Sequence, residues 1–384
     1  MKIFHTSDWH LGKTLQQQPL LEDQEHILQQ FIEAAENERP DAIVIAGDIY
    51  DRQITSPEAV KLLDQALRRI IVDLEIPVLA IAGNHDSPSR LGFGKQLMSG
   101  AGFYIAGDVA DVFSPVILED ASGQVRFHLL PFADLGTIRH ALGDQVICSF
   151  NSAYEKIIDR IKRDNDESSR RVLVAHAFVT PDGSPRENTS DSERPLTVGG
   201  SEFVSADHFS FFHYTALGHL HRSMKVKQDC IRYSGSPLKY SISEENHSKG
   251  FLVVEIDGDG SVSVEHRQLN PLRDLRTVEG FLSDLLLQQR SDDYIFARLL
   301  DTVPVTDPMT RIRSVYPNAL KVQNDNLFRQ LAQEDLTVMN EKTDPLQMFC
   351  DFYRRIRNKD LSENARVFIE HLLSEMDREE VNVE

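Results

Sequence analysis

Five short polar segments, spread over more than two hundred residues, hold the side chains best suited to chemistry. They are Asp8-Trp9-His10, Gly47-Asp48-Ile49-Tyr50-Asp51, Gly83-Asn84-His85-Asp86, His176 and Gly218-His219-Leu220-His221. One Asp-x-His or Gly-Asp pair alone is ordinarily a solvated turn or a strand-end cap. Here each segment directly follows an apolar run, and five such coincidences of residue type and position are improbable. A two-metal site for phosphate ester hydrolysis needs a bridging carboxylate, further oxygen and imidazole ligands, and open positions for water and phosphate. Asp48 is the natural bridge. Asp8 and His10 flank Trp9 and reach one ion only if the strand ends and the backbone turns there; His221 joins them. Asn84 offers a neutral amide oxygen, and His176 and His219 offer imidazoles. Oxygen and nitrogen ligands without a thiolate favour two ions of manganese, iron or zinc, manganese first, over a structural zinc site. His85, beside Asn84, contacts the phosphate or gives a proton to the departing oxygen as a general acid, with Asp86 orienting its imidazole. Arg52, Arg90 and Arg222 flank the motifs as candidate phosphate-binding groups or ordinary surface charges. Asp51 holds the bridging loop or touches a metal through water.

The runs that position these segments read as buried strands: Lys2 to Thr6, Ala42 to Ala46, Val78 to Ala82, Arg171 to Ala175 and Tyr214 to Leu217. Polar residues just past their carboxyl ends fall where ligands bind in open α/β sheets. Leu20 to Glu36 carries an amphipathic stripe at Ile27, Leu28, Phe31, Ile32 and Ala35. A second helix is expected from Pro57 to Ile71, capped by Ser56. The alternation is that of an α/β protein. Past residue 100 strands dominate, at Val116 to Glu119, Arg126 to Leu130, Ile231 to Ser234 and Gly250 to Ile256, predicting a second sheet packed on the first. One helix, Asn151 to Lys162, precedes the strand that leads to His176. Thr180 to Leu196, rich in Pro, Gly, Ser, Asp and Glu, reads as a mobile loop, substrate-facing or inert. Residues 269 to 340 form a separate small α/β unit, with helices near Val278 to Gln288 and from Pro308, and strands at Tyr294 to Asp301 and Ala319 to Gln323. Two terminal helices, Pro345 to Arg357 and Ser362 to Met376, carry apolar stripes that pack on the parent domain or dock a partner.

A chain of 384 residues exceeds one compact domain. Its hydrophobic fraction of 41% and charged fraction of 26% are those of a globular protein. The opening residues lack a signal-peptide run and no segment approaches a membrane span, so a cytoplasmic protein without membrane contact is expected. Cys148, Cys230 and Cys350 lack the spacing of a zinc site or disulfide framework. A net charge of -19 argues against broad non-specific affinity for nucleic acid. Any grip on DNA must be local, from bound cations or from a partner.

At these residues the chain resembles the calcineurin-like metallophosphoesterases, whose pattern runs Asp-x-His, Gly-Asp-x-x-Asp, Gly-Asn-His-Asp or Glu, a lone His, and Gly-His-x-His. The opening His5-Thr6-Ser7-Asp8-Trp9-His10-Leu11-Gly12 is similar to that of the SbcD family of bacterial nuclease subunits. Val198-Gly199-Gly200, Gly218-His219-Leu220-His221-Arg222 and Tyr233-Ser234-Gly235-Ser236-Pro237-Leu238 are similar to that family too. The resemblance implies a four-layer α/β/β/α core of two packed sheets over residues 1–268, a small α/β capping domain over 269–340 and C-terminal helices over 341–384. It also implies a manganese-dependent double-strand exonuclease and hairpin and single-strand endonuclease acting on DNA in repair, recombination and replication. Its partner would be an SbcC-type coiled-coil ATPase subunit, in a heterotetramer around a homodimer of this chain. Archaeal and eukaryotic relatives carry histidine where Asp51 stands, leaving His85 as the catalytic histidine. The same metal motifs also serve phosphoesterases of nucleotides, other small molecules and phosphoproteins, and a catalytically silent scaffold ranks last because every ligand position is filled.

Overall fold

The computed structural model describes residues 1–164, 169–184, 193, 202–324, 345–357 and 359–380. Four parallel strands, β1 (Lys2–Thr6), β2 (Ala42–Ile45), β3 (Val78–Ile81) and β4 (Phe103–Ala106), lie side by side. Alternation along them sends Ile3, Val44, Leu79 and Ile81 to one face, and Phe4, Ile43, Ile45 and Ala80 to the other. The second face is covered by α1 (Leu21–Glu38) through Ile27, Leu28, Phe31 and Ala35, and by α2 (Pro57–Leu67) through Leu62, Leu63 and Ala66. Ser56 caps α2, its hydroxyl accepting from the Ala59 N–H at 3.2 Å, ahead of Pro57. The helix gives way after Leu67 to a wider π turn over Arg68–Asp73, in which the Leu74 N–H reaches Arg69 O at 3.0 Å.

The second sheet contains β5 (Val116–Asp120), β6 (Gly123–Leu130), β7 (Arg170–His176), β8 (Tyr214–Gly218), β9 (Met224–Val226) and β10 (Gln228–Tyr233), in the spatial order β9-β10-β8-β7-β6-β5. Strands β6, β7, β8 and β10 are parallel to one another. Phe127, Val172, Val174, Tyr214 and Ala216 meet the inward face of the first sheet in one apolar layer. The outer face is closed by α3 (Phe150–Asp164) through Ala153, Tyr154, Ile157 and Ile161. The result is the α/β/β/α arrangement.

One strand departs from its place in the sequence. Gly250–Ile256 (β11), grouped by order with the second sheet, pairs antiparallel with β1, and β12 (Val262–Gln268) extends that edge. Its run Gly-Phe-Leu-Val-Val is buried on both faces, so it needs a central position, and it covers the otherwise open edge of β1.

Beyond residue 270, β13 (Leu275–Gly280), β14 (Tyr294–Leu299) and β15 (Ala319–Asn324) form a parallel sheet with its own apolar cluster of Leu282, Leu285, Ile295, Ala297, Leu299 and Ile312. The helix expected from Val278 to Gln288 is corrected here: Leu275–Gly280 is a strand, and only Leu282–Leu285 is helical. A parallel partner, registered from Leu275 opposite Tyr294 to Gly280 opposite Leu299, outweighs the weak helical stripe. This sheet leans on α1, where the Tyr294 hydroxyl donates to Asp23 at 2.8 Å and the Arg273 guanidinium to the same carboxylate at 2.9 Å. Two terminal helices, α4 (Pro345–Arg357) and α5 (Glu363–Glu380), pack on each other and expose Met348, Phe349, Val367, Phe368 and Leu372. Among the described residues no helix is long and apolar enough to cross a membrane. Most of the expected loop from Thr180 to Leu196, and Val198-Gly199-Gly200, lie outside the described residues.

Candidate metal centre

The carboxyl ends of both parallel strand sets meet at one edge, and the chain must turn sharply there to bring polar side chains over the strand ends. Asp8 (φ 52°), His10 (φ 45°), Asp48 (φ 50°) and His219 (φ 106°) all take left-handed backbone, which costs a non-glycine residue about 1–2 kcal/mol. Hydrogen bonds between the loops hold this strain: Asp8 N–H donates to Gly47 O at 3.0 Å, His10 N–H to Asp48 O at 3.0 Å, and Leu11 N–H to Ile49 O at 2.9 Å. The turn brings Asp8 and His10 to the same side of Trp9. Two motif glycines are demanded by the closeness of this packing. A Cβ at Gly83 would lie 2.2 Å from Asp48 Oδ1, and one at Gly218 would lie 1.9 Å from Ala46 O.

Asp48 occupies the middle. Its Oδ1 accepts the His85 N–H at 2.8 Å, while its Oδ2 lies 3.5 Å from His176 Nε2 and 3.7 Å from His10 Nε2. Among the described residues, converging ligand atoms form three buried groupings: Asp8 with His10 and His221, Asp8 with Asp48 and His176, and His10 with Asp51 and His85. Shared members make these one continuous centre. His10 Nε2 faces His221 Nε2 at 3.1 Å, and His176 Nε2 faces Asn84 Oδ1 at 2.9 Å. His219 differs from the other candidates. Its backbone N–H donates to both Asp8 oxygens at 3.1 and 3.2 Å, its ring centre is 5.5 Å from that of His176, and it enters none of the three groupings.

Protonation tests whether metal ions fit. The His176 Nδ1–H donates to Ala46 O at 2.9 Å, and burial keeps the ring neutral by lowering its pKa to about 4. Its Nε2 lone pair therefore faces another acceptor, Asn84 Oδ1. Likewise Glu244 accepts from His221 Nδ1 at 3.0 Å, turning the His221 Nε2 lone pair toward His10. Burial lowers the pKa of His10, His219 and His221 as well. The facing His176 and Asn84 lone pairs repel unless a cation stands between them. The carboxylates point the same way. Burial, and then the neighbouring Asp48, raise Asp8 well above the usual range; burial lifts Asp48 to about 6 and, with Asp48 beside it, Asp86 to about 7. Such a cluster carries its full charge comfortably only beside cations. The residues fit divalent metal ions.

His85 lies at the rim of this cluster, 3% exposed, with Nδ1 at 2.8 Å from Asp51 O and its ring centre 4.6 Å from that of His10. The expectation that Asp86 orients the His85 imidazole is corrected. Asp86 accepts instead from the Gly83, Ile49 and Tyr50 N–H groups at 2.9, 3.1 and 2.9 Å, locking two motif loops together, and the Asp51 carbonyl takes the orienting position. A carboxylate facing three free amides stays with them, because an unpaired buried N–H is costly. The Asp51 carboxylate pairs with Lys13 at 2.7 Å. Arg52, Arg90 and Arg222 are exposed, and Arg52 lies 3.5 Å from Asp51 Oδ2.

Four residues at the centre escaped the motif reading: Lys13, Gln24, Glu244 and Lys249. Gln24 donates to His10 O at 2.7 Å and Trp9 O at 3.1 Å, and accepts from Gly12 N at 3.0 Å, bracing the first loop. A polar residue on the buried stripe of α1 was its available signal. Glu244 and Lys249 follow no motif spacing.

The model of the calcineurin-like phosphoesterases matches residues 1–223, and the chain belongs to that family. Residues 271–357 match the model described as the type 5 capsule protein repressor C-terminal domain. The SbcD subunit of nuclease SbcCD from Staphylococcus epidermidis is 36% identical over 378 residues, covering 97% of this chain and 98% of that protein, so within the family the chain stands among the SbcD-type subunits. Solved structures similar to it include a dimetal phosphatase from Danio rerio, at 13% identity and TM-score 0.43, covering 70% of this chain and 96% of that one. A Thermus thermophilus protein aligns at 10% identity and TM-score 0.38, covering 69% and 98%.

Proposed function

We propose that this chain is the nuclease subunit of an SbcCD-type complex, hydrolysing DNA phosphodiesters with two manganese ions as a double-strand exonuclease and hairpin endonuclease. The observation that carries the reading is the convergence of Asp8, His10, Asp48, His176 and His221 on one buried edge, in a chain so similar over its whole length to an SbcD nuclease subunit. Asp8, His10 and His221 would hold one ion and Asn84, His176 and His219 the other, with Asp48 shared between them. The bound ions supply Lewis-acid chemistry, drawing charge from the phosphate and lowering the pKa of water. His85 is the general acid: with Nδ1–H donated to Asp51 O, Nε2 is the nitrogen that passes a proton to the departing oxygen. Asp86 keeps the loops that carry His85 and Asp48 in register. Arg52, Arg90 and Arg222 offer exposed charge to the flanking phosphates.

Residues 1–268 form the nuclease domain, 269–340 a capping domain that shapes the DNA path, and 341–384 the docking helices for the SbcC-type ATPase. The apolar cluster on one face of the small sheet supports the first division, while Leu275, Tyr294 and Leu320 join the main core, and the exposed apolar side chains of α4 and α5 support the last. Exposed Phe93 and Leu97, on the segment after the His85 motif, suit a homodimer within a cytoplasmic heterotetramer. The test is cleavage of an end-labelled DNA hairpin with manganese, for wild type and His85→Ala, with and without the ATPase. Cleavage lost in the variant and raised by the ATPase is expected. Activity on a nucleotide ester with none on DNA would replace the reading with a small-molecule phosphoesterase.

A further inference from the structure

Glu244 is an acid without exposed surface, at the end of a short turn over Ile242–Glu244, and no ligand or catalytic role above includes it. Its Oε1 accepts from His221 Nδ1 at 3.0 Å, and its Oε2 accepts the Lys249 ammonium and the Tyr240 N–H, the latter at 3.3 Å. Lys249, only 6% exposed, gives its other protons to the His221 carbonyl and the Ser236 hydroxyl, both at 2.8 Å. The pair therefore grips His221 by its ring and by its backbone.

A buried ion pair is weak as a source of stability, because apolar side chains of similar volume often do as well or better. Geometry gives this one another use. An anionic acceptor on Nδ1 holds the His221 tautomer whose Nε2 is the ligand nitrogen, and makes that nitrogen more basic. The turn is also anchored on its far side, where Glu245 accepts the Thr277 N–H at 2.8 Å and Lys239 pairs with Asp274 at 2.7 Å. Glu244 is thus held from both directions.

We propose that Glu244, paired with Lys249, is a positioning residue of the metal centre: it sets the tautomer and aim of His221 and so the affinity of the Asp8, His10 and His221 grouping for a divalent cation. The inference rests on the reading of His221 as a ligand.

The test is calorimetric titration of manganese into the full-length, metal-stripped chain, with electron paramagnetic resonance of the bound ion. It compares wild type, His221→Ala, Glu244→Gln, and Glu244→Gln combined with Lys249→Met, which leaves no unpaired buried charge. Both Glu244 variants are expected to weaken one of two binding steps by about 10–100-fold, as loss of such outer partners does, and to leave the other unchanged. Loosening of the whole fold would weaken both. If His221→Ala weakens a step and the folded Glu244 variants do not, the proposal fails while the ligand reading stands. If His221→Ala leaves both steps intact, the ligand reading fails and takes this inference with it. Loss of the fold in both Glu244 variants would make the pair a structural element and overturn the proposal.

Discussion

Asp48→Asn in the metal-free chain should make the fold more stable, although it removes the bridging ligand. Burial raises the Asp48 pKa from the ordinary 3.8 to about 6. The folded chain therefore holds this proton more tightly than the unfolded chain. Sites with that sign favour folding below the unfolded pKa, and the advantage is lost as pH rises through the folded one. Above pH 6 the ionised carboxylate costs the wild type about 3 kcal/mol, at about 1.4 kcal/mol for each pH unit separating the two values. Asparagine avoids that cost and still accepts the His85 N–H, while its amide adds a buried donor among neutral imidazoles, costing about 1 kcal/mol. The variant should gain about 2 kcal/mol at pH 8 in EDTA, and the gain should fade by about pH 4.5. Manganese should reverse the order, since ligand at 100 times its Kd stabilises the wild type by about 2.7 kcal/mol. Urea unfolding of both chains at several pH values, with EDTA and with manganese, measures this. A variant less stable than wild type in EDTA at pH 8, or a difference that ignores pH, would refute the reasoning.

Gly83→Ala should reduce nuclease activity at least about 100-fold, because its Cβ, 2.2 Å from Asp48 Oδ1, displaces the central carboxylate; steady-state cleavage together with manganese titration would show it. His85→Ala should lower kcat by about 10²–10⁴ while manganese binding stays as in wild type, a separation read by the same two assays. Manganese affinity should fall below about pH 6, where protons reoccupy Asp48, by roughly tenfold per pH unit for each proton displaced; titration calorimetry in buffers of different ionisation heat would count those protons. Arg273→Met should cost about 2–3 kcal/mol, leaving the buried Asp23 carboxylate with only the Tyr294 hydroxyl, and should open the chain near residue 270 to limited proteolysis. Phe349→Ser with Phe368→Ser should weaken binding to the ATPase at least about tenfold without changing manganese content, as surface plasmon resonance and metal analysis would reveal.

Much of this protein is determined by local pattern. Strands β1, β2, β3, β7 and β8 are apolar runs whose period and length are local properties, and the residues after each announce themselves by type. Asp8, His10, Asp48, His176 and His221 were therefore legible before any packing was known, and so was the amphipathic stripe of α1. Tertiary structure alone decided what depends on contacts between distant segments. The strand Gly250–Ile256 has the same apolar run in either sheet, and only the open edge of β1 selects its place. Leu275–Gly280 is a strand because Tyr294–Leu299 is there to pair with it. The His85 imidazole could turn to a neighbouring carboxylate or to a loop carbonyl; three amides claim Asp86, so the Asp51 carbonyl is its partner. Glu244 and Lys249 lie 23 and 28 residues after His221 with no periodicity linking them, so only the folded chain brings that buried pair to the histidine.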